Sequence, residues 1–212
     1  VPTTTDDQPD APPSTRRRAL LIALFSISAV VLVLDQVSKA WAISSLVEGE
    51  RHDLLGSLLG LQLVFNPGAA LSIATGMTWV LTIVAAVVIV VVVRASRRIG
   101  SWAWAVALGL LLGGALGNLV DRLVREPGLA RGEVIDFIAY ANWFVGNIAD
   151  IAIVSAAVLV VVLAGLGIHI DGTRDGHGEA EPDTEVEGDQ LDDAALDEQQ
   201  GETSTTTTEQ NA

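Results

Sequence analysis

The 212-residue chain contains no cysteine, which excludes both a disulfide framework and a thiol nucleophile. Histidine is scarce: His52, His169 and His177 are too scattered to build a zinc site, and no metal or other cofactor is expected. There is no basic stripe to neutralise phosphates, so nucleic acid is not expected as a partner. The formal charge of −14 misleads until it is divided by region. Residues 1–18 carry three acids and three arginines and sum to zero. Residues 19–170 carry nine acids and eight bases, giving −1, while residues 171–212 carry fourteen acids and one arginine, giving −13. The acidity belongs to the C-terminal segment and not to the body of the chain.

Long apolar runs are what the sequence does have. They occupy about Ala19–Ala42, Thr78–Val93, Trp102–Leu123 and Ile148–Ile168, each near the roughly 20 residues with which a helix crosses hydrocarbon. Asp35 to Lys39 would be a strange interior for a cleavable signal, so the first run reads as a span. Residues 1–18 and 171–212 lack apolar periodicity and read as disordered tails around a membrane domain at 19–170. Four spans put both termini on one side. Arg16–Arg18 precede span one and Arg94, Arg97 and Arg98 follow span two, so the positive-inside bias makes that side cytoplasmic. Between spans one and two, short apolar runs are broken by Gly56, Gly60 and the turn Asn66-Pro67-Gly68, as in a small β-sheet. The expected fold is therefore an all-α membrane protein with four spans and a small outer sheet between helices 1 and 2.

The ionisable groups at helix depth all fall near the outer ends of the spans. Asp35 and Lys39 lie late in span one, Asn118, Asp121 and Arg122 close span three, and Asn147 and Asp150 open span four. Intramembrane charges are functional candidates by default. Asp35 and Lys39 are four apart and can neutralise one another on one helical face. Asn118-Leu119-Val120-Asp121 and Asn147-Ile148-Ala149-Asp150 repeat one Asn-x-x-Asp pattern, whose spacing sets each amide beside its own carboxylate. Gly113 and Gly117, four apart, read as a close-packing face. Asp121 is followed by Arg122 and is the aspartate best placed to stay ionised. Asp136 and Asp150 have no basic neighbour in sequence. Two such carboxylates brought together share a proton, one acting as acid and the other as base, which suits peptide hydrolysis. Asp121 paired with Asp150 is the less favoured alternative.

Four blocks then make the chain resemble the lipoprotein signal peptidases, or signal peptidase II. They are Leu-Asp-Gln-Val-Ser-Lys at 34–39, Asn-Pro-Gly-Ala-Ala at 66–70, Gly-Gly-Ala-Leu-Gly-Asn-Leu-Val-Asp-Arg-Leu at 113–123, and Val-Ile-Asp-Phe at 134–137 with Asn-Ile-Ala-Asp at 147–150. The resemblance covers about residues 19–170. It implies four transmembrane helices, an extracytoplasmic sheet that cradles substrate, and cleavage of prolipoproteins before a diacylglyceryl-modified cysteine. It implies Asp136 and Asp150 as the catalytic dyad. Supporting or substrate-binding roles are implied for Asp35, Lys39, Asn66, Gly68, Asn118, Asp121, Arg122 and Asn147. The implied partners are the lipidated signal peptides and membrane lipid, and nothing calls for more than a monomer. Two departures stand out: Gly146 where Phe often precedes the Asn, which is expected to loosen the start of span four, and Leu71 where an aromatic is usual. The competing reading is a small proton-coupled carrier using the same aspartates. The inner halves of the spans hold no charge to mark a path, and spans one and two do not resemble three and four.

Overall fold

The computed structural model describes residues 13–68 and 78–175. Leu71 and the segments 1–12 and 176–212 lie outside the described residues. Four helices are long and apolar enough to cross a membrane: α1 (Pro13–Ser45), α2 (Thr78–Ser96), α3 (Trp102–Val124) and α4 (Ile148–Gly165). The 33 residues of α1, at about 1.5 Å each, make a rod of about 50 Å where the hydrocarbon needs only about 30 Å. The helix therefore begins before the apolar run does, and Arg16–Arg18 are helical rather than part of a tail.

The bundle is organised on α3. In its most apolar window 56% of residues are buried, against 28%, 17% and 22% for α1, α2 and α4, so α3 is the helix the others pack around. Its small residues explain why they come so close. A Cβ at Gly113 would lie 2.7 Å from the Ser28 carbonyl oxygen of α1, and one at Gly117 would lie 2.5 Å from Asp35 Oδ2. On the side facing α4, a Cβ at Gly114 would lie 2.6 Å from the Ala149 carbonyl oxygen. Without an apolar driving force between helices in lipid, such backbone approach is what holds a bundle together. The packing role read for Gly113 and Gly117 is the one they play.

The C-terminal end of α1 and the N-terminal end of α4 carry a four-stranded antiparallel sheet ordered β1 (Arg51–Leu55), β2 (Leu59–Asn66), β3 (Val134–Tyr140) and β4 (Phe144–Gly146). The expectation placed this sheet between helices 1 and 2. Only half of it comes from there. The other half is contributed by the segment between α3 and α4, whose apolar alternation is hidden because β3 is buried on both faces from Val134 to Phe137. Ile135, Phe137 and Leu63 pack with Ala42 of α1, and the Trp41 and Phe137 rings meet edge to face at 6.3 Å. This contact seats β3, and with it Asp136, on the end of the bundle.

Gly113→Ala should lower stability by about 1–3 kcal/mol, because the added methyl collides with backbone that cannot yield. Gly165→Ala, where a Cβ meets nothing within 4 Å, should be neutral or slightly stabilising. Thermal melts of both variants in detergent check this, and equal melting temperatures would refute the close-packing account.

Candidate active site

Three elements deliver the two carboxylates and the groups that hold them. Asp136 lies in the buried half of β3, opposite Val64 of β2. Asp150 is the third residue of α4, and Asn147 is its N-cap. The Asn147 side chain accepts from the Asp150 backbone N–H at 3.0 Å, while Asp150 Oδ2 accepts from the Asn147 backbone N–H at 3.1 Å. This reciprocal capping box closes the start of α4. Gly146 therefore does not loosen it. A Cβ at Gly146 would sit 3.0 Å from Asp150 Oδ2, so strand and helix are in close contact there.

The amides do not serve their own carboxylates. Asn118 Nδ2 donates to Asp150 Oδ1 at 3.0 Å, not to Asp121. Asn147 Nδ2 donates to Asp136 Oδ1 at 2.6 Å, and Asn66 Nδ2, from the end of β2, donates to Asp136 Oδ2 at 2.7 Å. The two Asn-x-x-Asp motifs are thus cross-wired between elements. Every oxygen of both carboxylates accepts a hydrogen bond, and neither carboxylate has a salt-bridge partner among the described residues. Asp136 is only 2% exposed. Its pKa is pushed up to about 7, first by burial and then by the charge of Asp150, against the pull of the two amides and of Lys39.

Beneath this pair lies a second, fully buried cluster. Lys39 Nζ lies 2.7 Å from Asp35 Oδ2 and 2.7 Å from Asp121 Oδ2, with all three side chains at 0% exposure. The i,i+4 pairing of Asp35 with Lys39 was expected. The pairing of Asp121 with Arg122 was not realised: Asp121 Oδ1 binds Arg125 Nε at 2.7 Å. One residue along a helix turns the side chain by about 100°, and that rotation takes Arg122 to the Gly68 carbonyl at 2.9 Å. Gln36 and Arg125 are members of the cluster that sequence reasoning missed. Gln36 Nε2 donates to Asp35 Oδ2 at 3.1 Å and to the Gly117 carbonyl at 3.1 Å. The i,i+4 spacing of Asp121 and Arg125 was a usable signal for the second.

A cavity of about 690 Å³ opens onto the upper pair, with Asn66, Gly68, Asn118, Arg122, Asp136 and Asp150 on its polar side. Trp143, Phe144, Val145 and Val154 line its apolar side. Of the ten residues singled out in the sequence, six face this cavity. Asn147 stands behind it, bridging Asp136 and Asn118. Asp35, Lys39 and Asp121 lie in the buried cluster.

Comparison with known proteins now places the chain. The family model described as signal peptidase (SPase) II matches residues 27–165, a stretch that contains all ten of those residues. The lipoprotein signal peptidase of Rhodococcus jostii (strain RHA1) is 50% identical over 175 residues, spanning 81% of this chain and 87% of that one. The chain belongs to the signal peptidase II family. The lipoprotein signal peptidase of Mycolicibacterium smegmatis is 44% identical over 84% of this chain and 77% of its own. A solved structure described as a bacterial membrane enzyme, determined by the in meso method at 2.3 Å resolution, superposes with a TM-score of 0.60 at 26% identity. It covers 66% of this chain and 86% of its own. Signal peptidase II membership and the four apolar helices make the chain a bacterial multi-pass membrane peptidase.

Two outcomes follow from the electrostatics. Lys39→Met leaves Asp35 and Asp121 buried with one cation fewer, and should cost about 3–5 kcal/mol in chemical unfolding in micelles. A near-neutral result would remove Lys39 from the framework. For Asp136, the folded state keeps a proton between about pH 4 and 7 that the unfolded chain has released. Stability should therefore fall as pH rises through that window. Asp136→Asn should flatten the dependence, measured as melting temperature against pH, and an unchanged slope would contradict the assignment.

Proposed function

We propose that the chain is an aspartic endopeptidase that removes signal peptides from diacylglyceryl-modified prolipoproteins, cutting before the lipidated cysteine, with Asp136 and Asp150 as its catalytic dyad. The observation that carries this reading is the pair itself: two carboxylates on the wall of one cavity, held by amides and lacking a salt-bridge partner among the described residues. Two carboxylates so placed cannot both ionise easily and share one proton. The ionised member takes a proton from water as its oxygen attacks the scissile carbonyl carbon. The protonated member donates to the leaving nitrogen as the C–N bond breaks, and the dyad ends with one proton as it began. Asp136, with its pKa near neutrality, is suited to hold that proton at rest.

The substrate class is supported by the names of the relatives, both called lipoprotein signal peptidase. The cavity offers a matching division, with polar groups near the dyad and Trp143, Phe144, Val145 and Val154 where acyl chains would lie. Asp35, Lys39, Asp121 and Asn147 act as the frame, and Asn66, Gly68, Asn118 and Arg122 face the peptide. Arginines at the start of α1 and the end of α2 support a topology with both termini in the cytoplasm and the dyad near the outer face. The chain acts as a monomer with a cytoplasmic N-terminal tail and an acidic cytoplasmic tail, whose first residues, 171–175, belong to the structured turn after α4.

Asp136→Asn and Asp150→Asn should each reduce cleavage of a diacylglyceryl-modified prolipoprotein by about 10²–10⁴-fold with the fold retained. The wild-type profile should be bell-shaped in pH. A gel-shift assay with parallel thermal melts reads both, and a folded Asp136→Asn enzyme that still cuts would sink the dyad. Equal cleavage of the unlipidated precursor would sink the substrate assignment.

A further inference from the structure

The end of the bundle away from the dyad carries a second cavity, of about 710 Å³, between the end of α2 and the segment that follows α4. Residues 166–175 lie beyond the stretch matched by the family model, yet they are firmly built in. Ile168 and Arg174 pair across a small turn. The Trp104 indole N–H donates to the Ile168 carbonyl at 2.8 Å, and the Gly100 N–H donates to the Ile170 carbonyl at 2.8 Å. The turn is thereby pinned under the loop between α2 and α3.

The cavity wall presents Arg94 and Arg98 from one side and His169, Asp171 and Thr173 from the other. Asp171, on the wall, and Asp175, beside it, are each held by a residue of the same turn. Asp171 Oδ1 accepts from the Thr173 hydroxyl at 2.6 Å and from its N–H at 3.0 Å, and Asp175 Oδ1 lies 2.8 Å from His169 Nε2. Arg94 and Arg98 have no carboxylate within salt-bridge distance among the described residues. They are exposed, so water can satisfy them, and together they outweigh the one carboxylate on the wall, Asp171, leaving the concavity with a net positive charge. The concavity continues onto apolar surface, because Val91 lines it and Val87 and Val90 are exposed on the same helix.

We propose that this cavity holds the headgroup phosphate of an anionic phospholipid, bound by the Arg94 and Arg98 guanidiniums, with its acyl chains laid along the valine face of α2. Guanidinium forks suit phosphate oxygens, and the adjoining valine surface favours a lipid over a free anion. The site is independent of the catalytic reading.

The full chain, purified in neutral detergent, would be titrated with phosphatidylglycerol and with phosphatidylcholine of the same chains, and retained lipid counted by native mass spectrometry. A basic residue near an anionic headgroup contributes about fivefold in affinity, so Arg94→Gln with Arg98→Gln should weaken phosphatidylglycerol retention roughly thirtyfold. Arg16→Gln with Arg18→Gln, outside the cavity, should leave most of it. Thermal melts in phosphatidylcholine confirm that both variants fold. The proposal fails if wild type shows no preference for phosphatidylglycerol, or if the Arg94/Arg98 variant retains it normally. It fails equally if the Arg16/Arg18 variant loses as much, which would mean general surface charge, or if millimolar inorganic phosphate displaces the lipid.

Discussion

A single buried ammonium group holds this molecule to its shape. Lys39 is fully enclosed, and a lone charge in that position would be untenable. It is stable because Asp35 from the same helix and Asp121 from α3 both reach it at 2.7 Å, and because Arg125 supplies a second cation to Asp121. Two acids and two bases close the cluster at zero net charge. The third contact of Lys39 then matters for the site. Its Nζ donates to Asn118 Oδ1 at 3.0 Å, which fixes that amide with its N–H₂ toward Asp150. The ion cluster and the carboxylate pair are one network joined at Asn118.

The glycines of α3 are a condition of that network. Asp35 Oδ2 occupies the space where a side chain of Gly117 would begin, so the acid can sit against α3 while holding Lys39 and Gln36 of its own helix only because α3 has no side chain there. Asp35 Oδ1 also accepts the Ala149 backbone N–H at 3.0 Å, tying α1 to the first turn of α4. Helix packing and electrostatics are therefore a single constraint at this end of the bundle. The sheet adds the last member, since β3 brings Asp136 down onto Asn147 and β2 brings Asn66 up beside it.

The two ends of the bundle use charge differently. At the end that carries Asp136 and Asp150, the charges of Asp35, Lys39 and Asp121 are buried and paired, and amides orient the two remaining carboxylates. At the other end, the arginines are exposed, and the backbone of residues 166–175 is what is fixed, through Trp104 and Gly100. The first arrangement suits the proposed proton transfer and the second the proposed lipid anion.

Apolar length is a property of consecutive residues, so four long apolar helices were readable from the sequence alone, although α1 begins six residues before the expected run. The same holds for the i,i+4 pairing of Asp35 with Lys39 and the glycine face of α3, because both depend on helical period. The polar residues that gather in the candidate site were also legible as a group, since polar groups at membrane depth are few. Tertiary structure alone decided which of them touch. Asn118 and Asn147 left their own carboxylates for those of a neighbouring element, Asp121 took Lys39 and Arg125 in place of Arg122, and residues 134–146 supplied half a sheet expected elsewhere. Local spacing says which residues share a face, but not what the face meets. That is set by how helices rotate and approach one another, and here by the glycines that let them approach so closely.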